Sequence, residues 1–331
     1  MIYNFNYNTY IIAEIGINHE GSYEKCIEMV HAAKKTKVNA IKLQTIDADS
    51  NYAKDTESYQ LFKKSSLTKK ETKSIFELAK SLELDCLTTV GDIETAKWIK
   101  KLKPSAWKIS SSLFTHLPLI KYLCKENQHI YLSTGLANDN EIKNIISKMK
   151  IMKKNDFTIF HCISKYPLRE NECSLEKISF LKNEYNVNVG YSDHTTGTYS
   201  SCLAVSLGAK VIEKHFTFDK KREGYDHKIS LDYTGMRNLV RRIRLTEEMI
   251  KLNKSKKLTI ERNRKKYLRV IVASKSIKIG EDFSDKNISI KRVRDNSNGV
   301  TPLNYKKIIG RLSKKKYSRD DKILNIEIKN D

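Results

Sequence analysis

Short apolar runs alternate with longer amphipathic segments along most of this chain. The runs Tyr10–Ile15, Ala40–Gln44, Asp85–Thr89, Ala106–Ile109, His129–Ser133, Phe157–Cys162, Asn188–Ser192 and Val211–His215 have the length and composition of strands. Between them, Tyr23–Lys35, Lys70–Leu82, Glu141–Met149 and Ser174–Asn183 space their apolar residues by three and four, which predicts helices with one buried face. Strands alternating with helices build parallel sheets. Eight such units within about 245 residues predict a closed (β/α)8 TIM barrel, a fold that takes ~250 residues. An open, doubly wound sheet is the alternative, and it usually has fewer units.

Beyond the eighth run the pattern changes. Lys251–Lys266 is charged and poor in strand pattern, so residues 251–267 read as a linker after a barrel over 1–250. Leu268–Ala273 is a β-branched run, and KSIKIGEDFSDKNISIKRV and KKIIGRLSKKKYSRDDKILNIEI read as short strands punctuated by glycine and aspartate turns. Residues 268–331 therefore form a small β-rich module. So small a module is marginal alone and gains from docking on a barrel, its own or a partner's.

Composition narrows the classes. With 39% hydrophobic and 31% charged residues, the 331-residue chain suits a globular protein rather than a disordered one. No apolar run reaches about 18 residues, so no membrane-spanning helix is expected. The opening MIYNFNYNTYIIAEIG has neither the basic start nor the cleavage site of a signal peptide. The six cysteines, Cys26, Cys86, Cys124, Cys162, Cys173 and Cys202, contain no CxxC pair and read as reduced core thiols of a cytoplasmic protein. A net charge of +23 invites a nucleic-acid reading. The lysines, however, scatter along helix faces and crowd the C-terminal third, without zinc-finger spacing or an RNP-like aromatic run. They read as a solvated surface, one whose field also favours a phosphate-bearing substrate.

Candidate chemistry stands where such barrels keep it, at the C-terminal strand ends. In chain order these ends offer Glu14 with His19 just beyond, Lys42 and Gln44, Thr88 and Thr89, and Lys108 with Ser110 and Ser111. Then come Ser133 and Thr134, His161 with Ser164 and Tyr166, Ser192 with Asp193 and His194, and Lys214 with His215. His194 and His215 end adjacent strands, so both can reach one cation and leave positions open for water and substrate. Lys42 and Lys108, with Ser111, Ser133 and Ser192, suit a phosphate or carboxylate dianion. Lys214 reads as the partner of its neighbour Glu213. Glu14 sits in an apolar run, where a carboxyl needs a partner or a task such as acid/base catalysis. A Schiff-base aldolase using Lys108 or Lys214 remains open, as does a metal-dependent isomerase or a non-catalytic sugar-binding protein.

The motifs AEIGINHEGS, IKLQT, WKISSS, LSTG, HCISKYP, GYSDHTTG, EKHFT and GYDHKIS, in this order over nearly the whole barrel, resemble the sialic acid synthase family, whose members make N-acetylneuraminate, legionaminate or pseudaminate. KSIKIGE and the strands after it resemble that family's antifreeze-like (SAF) domain. The resemblance implies condensation of phosphoenolpyruvate with an amino-sugar aldehyde. The first expectation is N-acetylmannosamine as acceptor, giving N-acetylneuraminate. The alternative is a 6-deoxy-diacetamido hexose, giving legionaminate or pseudaminate.

The resemblance also implies roles. His194 and His215 would hold Mn2+ or Mg2+. Lys42, Thr89, Lys108, Ser111, Ser133 and Ser192 would line the phosphoenolpyruvate site. Glu14, Gln44, Tyr166 and Asp226 would face the sugar, with Glu14 also the acid/base. A domain-swapped homodimer is implied, in which the small domain caps the partner's barrel and an arginine, Arg292 by position or else Arg294, meets the sugar's N-acyl group. The chain departs from the family in having Tyr225 before Asp226, Ile163 after Cys162, and KRVRDNSNGVTP in place of a short RPG-type turn.

Overall fold

Eight parallel strands close into a barrel in chain order: β1 (Tyr10–Gly16), β2 (Ala40–Thr45), β3 (Asp85–Val90), β4 (Ala106–Ile109), β5 (His129–Ser133), β6 (Phe157–His161), β7 (Asn188–Asp193) and β8 (Val211–His215). Closure is made by β8 against β1, from Tyr10↔Val211 to Glu14↔His215. The computed structural model describes residues 8–152, 154, 156–251 and 256–328. Its contacts divide the chain into two compact units, Met1–Lys251 and Leu252–Asp331.

Local chemistry sets the helix starts. Ser22 caps Tyr23–Lys35 by accepting from the Lys25 amide, and Asp92 caps Ile93–Lys100 through the Thr95 amide. Thr68 with Glu71, and Asn138 with Glu141, form capping boxes. These caps place the two helices at Lys69–Ser81 and Asp139–Ile151, the second longer at both ends than its apolar spacing suggests. The helix expected at Ser174–Asn183 instead runs Glu176–Tyr185 and stops at Asn186, which is left-handed at φ 49°. Outward strand residues such as Ile11, Ile41, Trp107 and Ile212 join the helices' apolar faces in one large core.

Alternation along each strand orders the barrel interior. One inward layer is apolar: Ile12, Ala40, Leu87, Ala106, Tyr131, Phe160 and Val211 pack as a fully buried cluster. β7 supplies Gly190 there, where a Cβ would stand 2.8 Å from Phe160 Cε1. The glycine makes room for the large aromatics of β5 and β6. Two residues further along each strand, the polar layer begins.

The second unit opens with a helix, Lys256–Tyr267, where a linker was expected. Lys, Arg, Glu and Leu are good helix formers, but they carry no apolar stripe here, so periodicity did not reveal the helix. Residues 252–255 of that expected linker lie outside the described residues. β9 (Val270–Ala273) pairs antiparallel with β10 (Ile288–Lys291). The other expected strands are reduced to single bridges such as Ile277↔Tyr317 and Asp282↔Leu312. A separate small core forms around Ile271, Phe283, Val300, Ile308, Tyr317 and Ile323. Among the described residues, no helix is long and apolar enough to cross a membrane.

Candidate active site

Two residues beyond the apolar layer, the eight strands present Glu14, Lys42, Thr89, Lys108, Ser133, Cys162, Ser192 and Glu213. All of them line a cavity of about 270 Å³ at the C-terminal end of the barrel. Gln44, Ser111, Tyr166, His194, His215 and Asp226 complete its wall. A larger groove of about 690 Å³ beside Trp98 lies on the outer helices, where Lys69, Lys97 and Lys101 are exposed.

Charge dominates the floor. Lys108 Nζ donates to both oxygens of Glu213, at 2.7 and 2.8 Å. Lys42 Nζ lies 2.6 Å from Glu14 Oε2 and 3.7 Å from Glu213 Oε2, and donates to Thr89 Oγ1 at 3.2 Å. Gln44 Nε2 donates to Glu14 Oε1 at 3.1 Å, and Ser192 Oγ donates to Glu213 Oε1 at 3.0 Å. Burial raises the Glu14 pKa, and Lys42 only partly offsets this. Burial also acts against the Glu213 carboxylate, but Lys108 and Lys42 outweigh it and hold the group below the usual carboxylate range. The floor thus sets two lysines against an ionised Glu213 and a Glu14 carboxyl raised to about 7, so protonation of Glu14 leaves positive charge that suits a small anion.

Beside the lysines the backbone is open. Gly135 N donates to Ser111 Oγ at 3.0 Å. A Cβ at Gly135 would stand 2.5 Å from Ser164 Oγ and 2.9 Å from both Cys162 Sγ and Ser111 Oγ. Glycine therefore leaves room for the Ser111 and Ser164 hydroxyls and the Cys162 thiol to pack close to the backbone here.

The two imidazoles stand at the other side, with ring centroids 5.7 Å apart. His194 Nδ1 donates to the Ile163 carbonyl at 2.7 Å, which leaves Nε2 with its lone pair. Burial depresses the pKa of both rings, and for His215 the neighbouring His194 and Lys42 add to it. His215 Nδ1 is buried without a hydrogen-bond partner, 3.4 Å from Asp226 Oδ2. Neutral, oriented rings with a free nitrogen fit a divalent cation. Among the described residues no group of three His, Cys, Asp or Glu forms a closed metal cage, so water or substrate would complete the coordination of any ion held there. Tyr166 packs its ring on His194 at 4.3 Å and edge-on to His215 at 6.5 Å. Burial lifts Asp226 to about 6 against the pull of Lys42.

Period two corrects several sequence expectations. Lys214 points out of the barrel and pairs with Asp193 Oδ2 at 3.2 Å rather than with Glu213, and it also donates to the Thr195 carbonyl. It is therefore no Schiff-base nucleophile for this cavity. His161, one residue off the inward register, bonds the Cys173 carbonyl at 2.7 Å and stacks on Tyr191. Thr88 likewise faces outward to Thr45. His19 is buried outside the cavity, its Nδ1 accepting from the Gly21 amide at 3.2 Å. Cys162 is not mere core, because it lines the cavity beside Ser111 at 3.3 Å. Arg292 and Arg294 belong to the second unit. Both are exposed, and Arg292 lies 5.1 Å over the Tyr267 ring.

Sequence reasoning missed Glu213 and the loop clamp behind Asp226. Counting two residues on from Val211 would have found Glu213. Asn18 Nδ2 donates to the Phe216 carbonyl and to Ser230 Oγ, each at 2.9 Å, while Asn18 Oδ1 accepts from the Asp226 amide at 3.1 Å. Glu20 accepts from Arg222 at 2.6 Å and meets His227 Nε2 at 3.0 Å. The NHEG stretch after β1 thereby anchors the loop that presents Asp226.

Fold and cavity together place a buried, charged pocket at the C-terminal end of a (β/α)8 barrel. The chain belongs to the NeuB family, whose pattern matches residues 29–255, and a SAF domain matches residues 269–324. It is 34% identical over 337 residues to the N,N'-diacetyllegionaminic acid synthase of Campylobacter jejuni, covering 95% of this chain and 98% of that one. A pseudaminic acid synthase of the same species is also 34% identical, over 96% of both chains. The crystal structure of an N-acetylneuraminic acid synthetase from Leptospira borgpetersenii, in complex with citrate, superposes with a TM-score of 0.73 at 30% identity, covering 78% of this chain and 92% of that one.

Proposed function

We propose that the protein is a cytoplasmic nonulosonic acid synthase that joins phosphoenolpyruvate to an N-acylated amino-sugar aldehyde, giving a nine-carbon 2-keto acid and phosphate. The observation that carries this reading is the polar layer itself, in which an anion floor of Lys42, Lys108, Ser111, Ser133 and Ser192 adjoins the His194–His215 pair in one small cavity. The relatives favour a 2,4-diacetamido-2,4,6-trideoxyhexose as acceptor, and legionaminate or pseudaminate as product, over the N-acetylneuraminate that sequence motifs put first.

The lysines and hydroxyls hold the phosphate and carboxylate of phosphoenolpyruvate, so that its carbon 3 faces the aldehyde. A divalent cation such as Mn2+ or Mg2+, held by His194 and His215, would supply Lewis-acid polarisation of that aldehyde. Glu14, whose pKa is raised to about 7 so that it can hold a proton near neutral pH, gives that proton to the aldehyde oxygen as the carbon–carbon bond forms. It then takes a proton from the water that adds at carbon 2. The resulting tetrahedral centre expels phosphate by C–O cleavage, and its hydroxyl proton leaves with the phosphate. Gln44, Tyr166 and Asp226 orient the sugar. In a domain-swapped homodimer, Arg292 of the small domain would reach the N-acyl group.

The test is incubation of the purified protein with Mn2+, phosphoenolpyruvate and each candidate sugar, followed by phosphate assay and mass spectrometry of the keto acid. Product that vanishes on chelation and returns with metal is expected. Silence across N-acetylmannosamine and the diacetamido sugars, with a lysine adduct trapped by borohydride, would overturn the reading in favour of an aldolase.

A further inference from the structure

The cavity floor and mouth differ in chemistry. Glu14, Lys42, Lys108 and Glu213 are all at most 3% exposed and fully polar. Part of its outer lining is apolar, with Ile46 buried, Tyr52 and Phe62 half-buried and Leu136 64% exposed, while Ser110, Ser112, Ser164 and Tyr166 supply polar groups elsewhere along the mouth. Tyr52 and Phe62 stack, with centroids 5.3 Å apart and planes 23° apart, within the excursion between β2 and β3, where Tyr52 follows the helix Ala48–Asn51 and Phe62 lies in the helix Glu57–Ser65.

This excursion is fixed on the barrel. Asn51 Nδ2 donates to Asp92 Oδ2 at 3.2 Å and to the Asp47 carbonyl at 2.8 Å. A Cβ on Gly91 would stand 2.0 Å from Asn51 Oδ1, so the anchor depends on a bare glycine backbone. On the far side of the excursion, Asp49 takes Lys63 at 2.6 Å and Tyr59 at 2.7 Å. The polar groups are spent away from the cavity, and the aromatic pair is turned to it.

We infer that Tyr52 and Phe62, with Ile46, form the specificity wall that reads the end of the acceptor remote from its aldehyde, selecting a deoxy, acylated sugar over a polyhydroxylated one. The inference rests on the synthase reading, which puts phosphoenolpyruvate on the lysine floor and the aldehyde beside the histidines. The remaining sugar carbons then extend toward the rim. A methyl at carbon 6 and an N-acetyl methyl bury well against rings and an isoleucine. A hydroxymethyl group in the same place loses water and finds at most the Tyr52 hydroxyl as a partner. An apolar pocket discriminates such pairs by about 10- to 100-fold, because it rejects an added hydroxyl only weakly.

The test compares kcat/KM for 2,4-diacetamido-2,4,6-trideoxyhexoses and for N-acetylmannosamine in the wild type, Phe62→Ser, Tyr52→Ser and Phe62→Leu. The wild type should favour the deoxy sugar by about 10-fold or more. Each serine variant should bring that ratio at least about 5-fold closer to one. Phe62→Leu should keep it, and the KM for phosphoenolpyruvate should stay unchanged in all three. The leucine variant preserves apolar volume and serves if a serine variant fails to fold, because a collapse of its ratio would also contradict an apolar wall. A wild-type preference for N-acetylmannosamine, or serine variants that turn over with the ratio unmoved, overturns the inference while leaving the synthase reading intact. Turnover of no sugar by the wild type strikes the synthase reading itself, and this inference falls with it.

Discussion

At the residue scale, Glu213 is shared by both buried lysines, and removing it leaves two ammonium groups facing only Glu14. Breaking such a buried network by taking one partner away costs about 3–5 kcal/mol. Glu213→Ala should therefore unfold at lower denaturant, and inorganic phosphate should raise its Tm more than it raises that of the wild type, because the ion replaces the lost charge. His215→Ala should behave differently. On the proposed reading its ring holds a metal rather than packing the core, so circular dichroism should show the fold intact while metal-dependent phosphate release drops by about 100-fold or more. His19 offers a pH test away from the cavity. Burial depresses its pKa to about 4, so the native state binds fewer protons than the unfolded chain between pH 6.5 and 4. Stability is full above 6.5 and falls as the pH drops through 4, by about 3 kcal/mol for this one ring. Urea titrations of His19→Gln should show a flatter acid limb than the wild type. Much of the cavity lining was legible in sequence because lysines and histidines inside apolar runs are conspicuous. Which of two neighbours faces inward was not, until period two was counted from Tyr131 and Phe160; that is why Lys214 and His161 looked functional and Glu213 did not.

At the scale of elements, the barrel strands were readable because each is a short, nearly continuous apolar run bounded by turns, as a strand buried on both faces must be. The rim was not readable, since Tyr52 follows a four-residue helix and Phe62 lies in a nine-residue one, both too short for periodicity to show, and their meaning comes from an anchor formed across sequence. Gly91→Ala tests that anchor. The added methyl displaces Asn51, and the excursion should loosen without loss of the barrel. Hydrogen exchange should quicken over residues 48–65, and kcat/KM for the sugar should fall by about 10-fold, with little change for phosphoenolpyruvate. Asn18→Ala removes three hydrogen bonds from the loop that carries Asp226, each worth about 1 kcal/mol. That variant should raise the KM for sugar and lower Tm together.

At the scale of the whole molecule, each unit has its own core, so residues 1–251 should fold alone and melt cooperatively. If the small domain serves a partner's barrel, the isolated barrel should lose turnover with sugar. A mixing experiment decides whether the arginine acts in trans. His215→Ala and Arg292→Ala should each be nearly inactive, yet the co-expressed mixture should regain about a quarter of wild-type activity, because about half of its dimers are hybrids and each hybrid has one of two sites intact. No recovery would place the arginine in cis or elsewhere.

The apolar layer under the charged one has a kinetic consequence. Ile12, Leu87, Tyr131, Phe160 and their neighbours fill the barrel beneath the charged layer, so the cavity has a closed floor. Whatever binds the floor must arrive first and depart last. Initial-velocity patterns should therefore be ordered, with phosphoenolpyruvate leading, and excess sugar should trap the free enzyme in an unproductive complex.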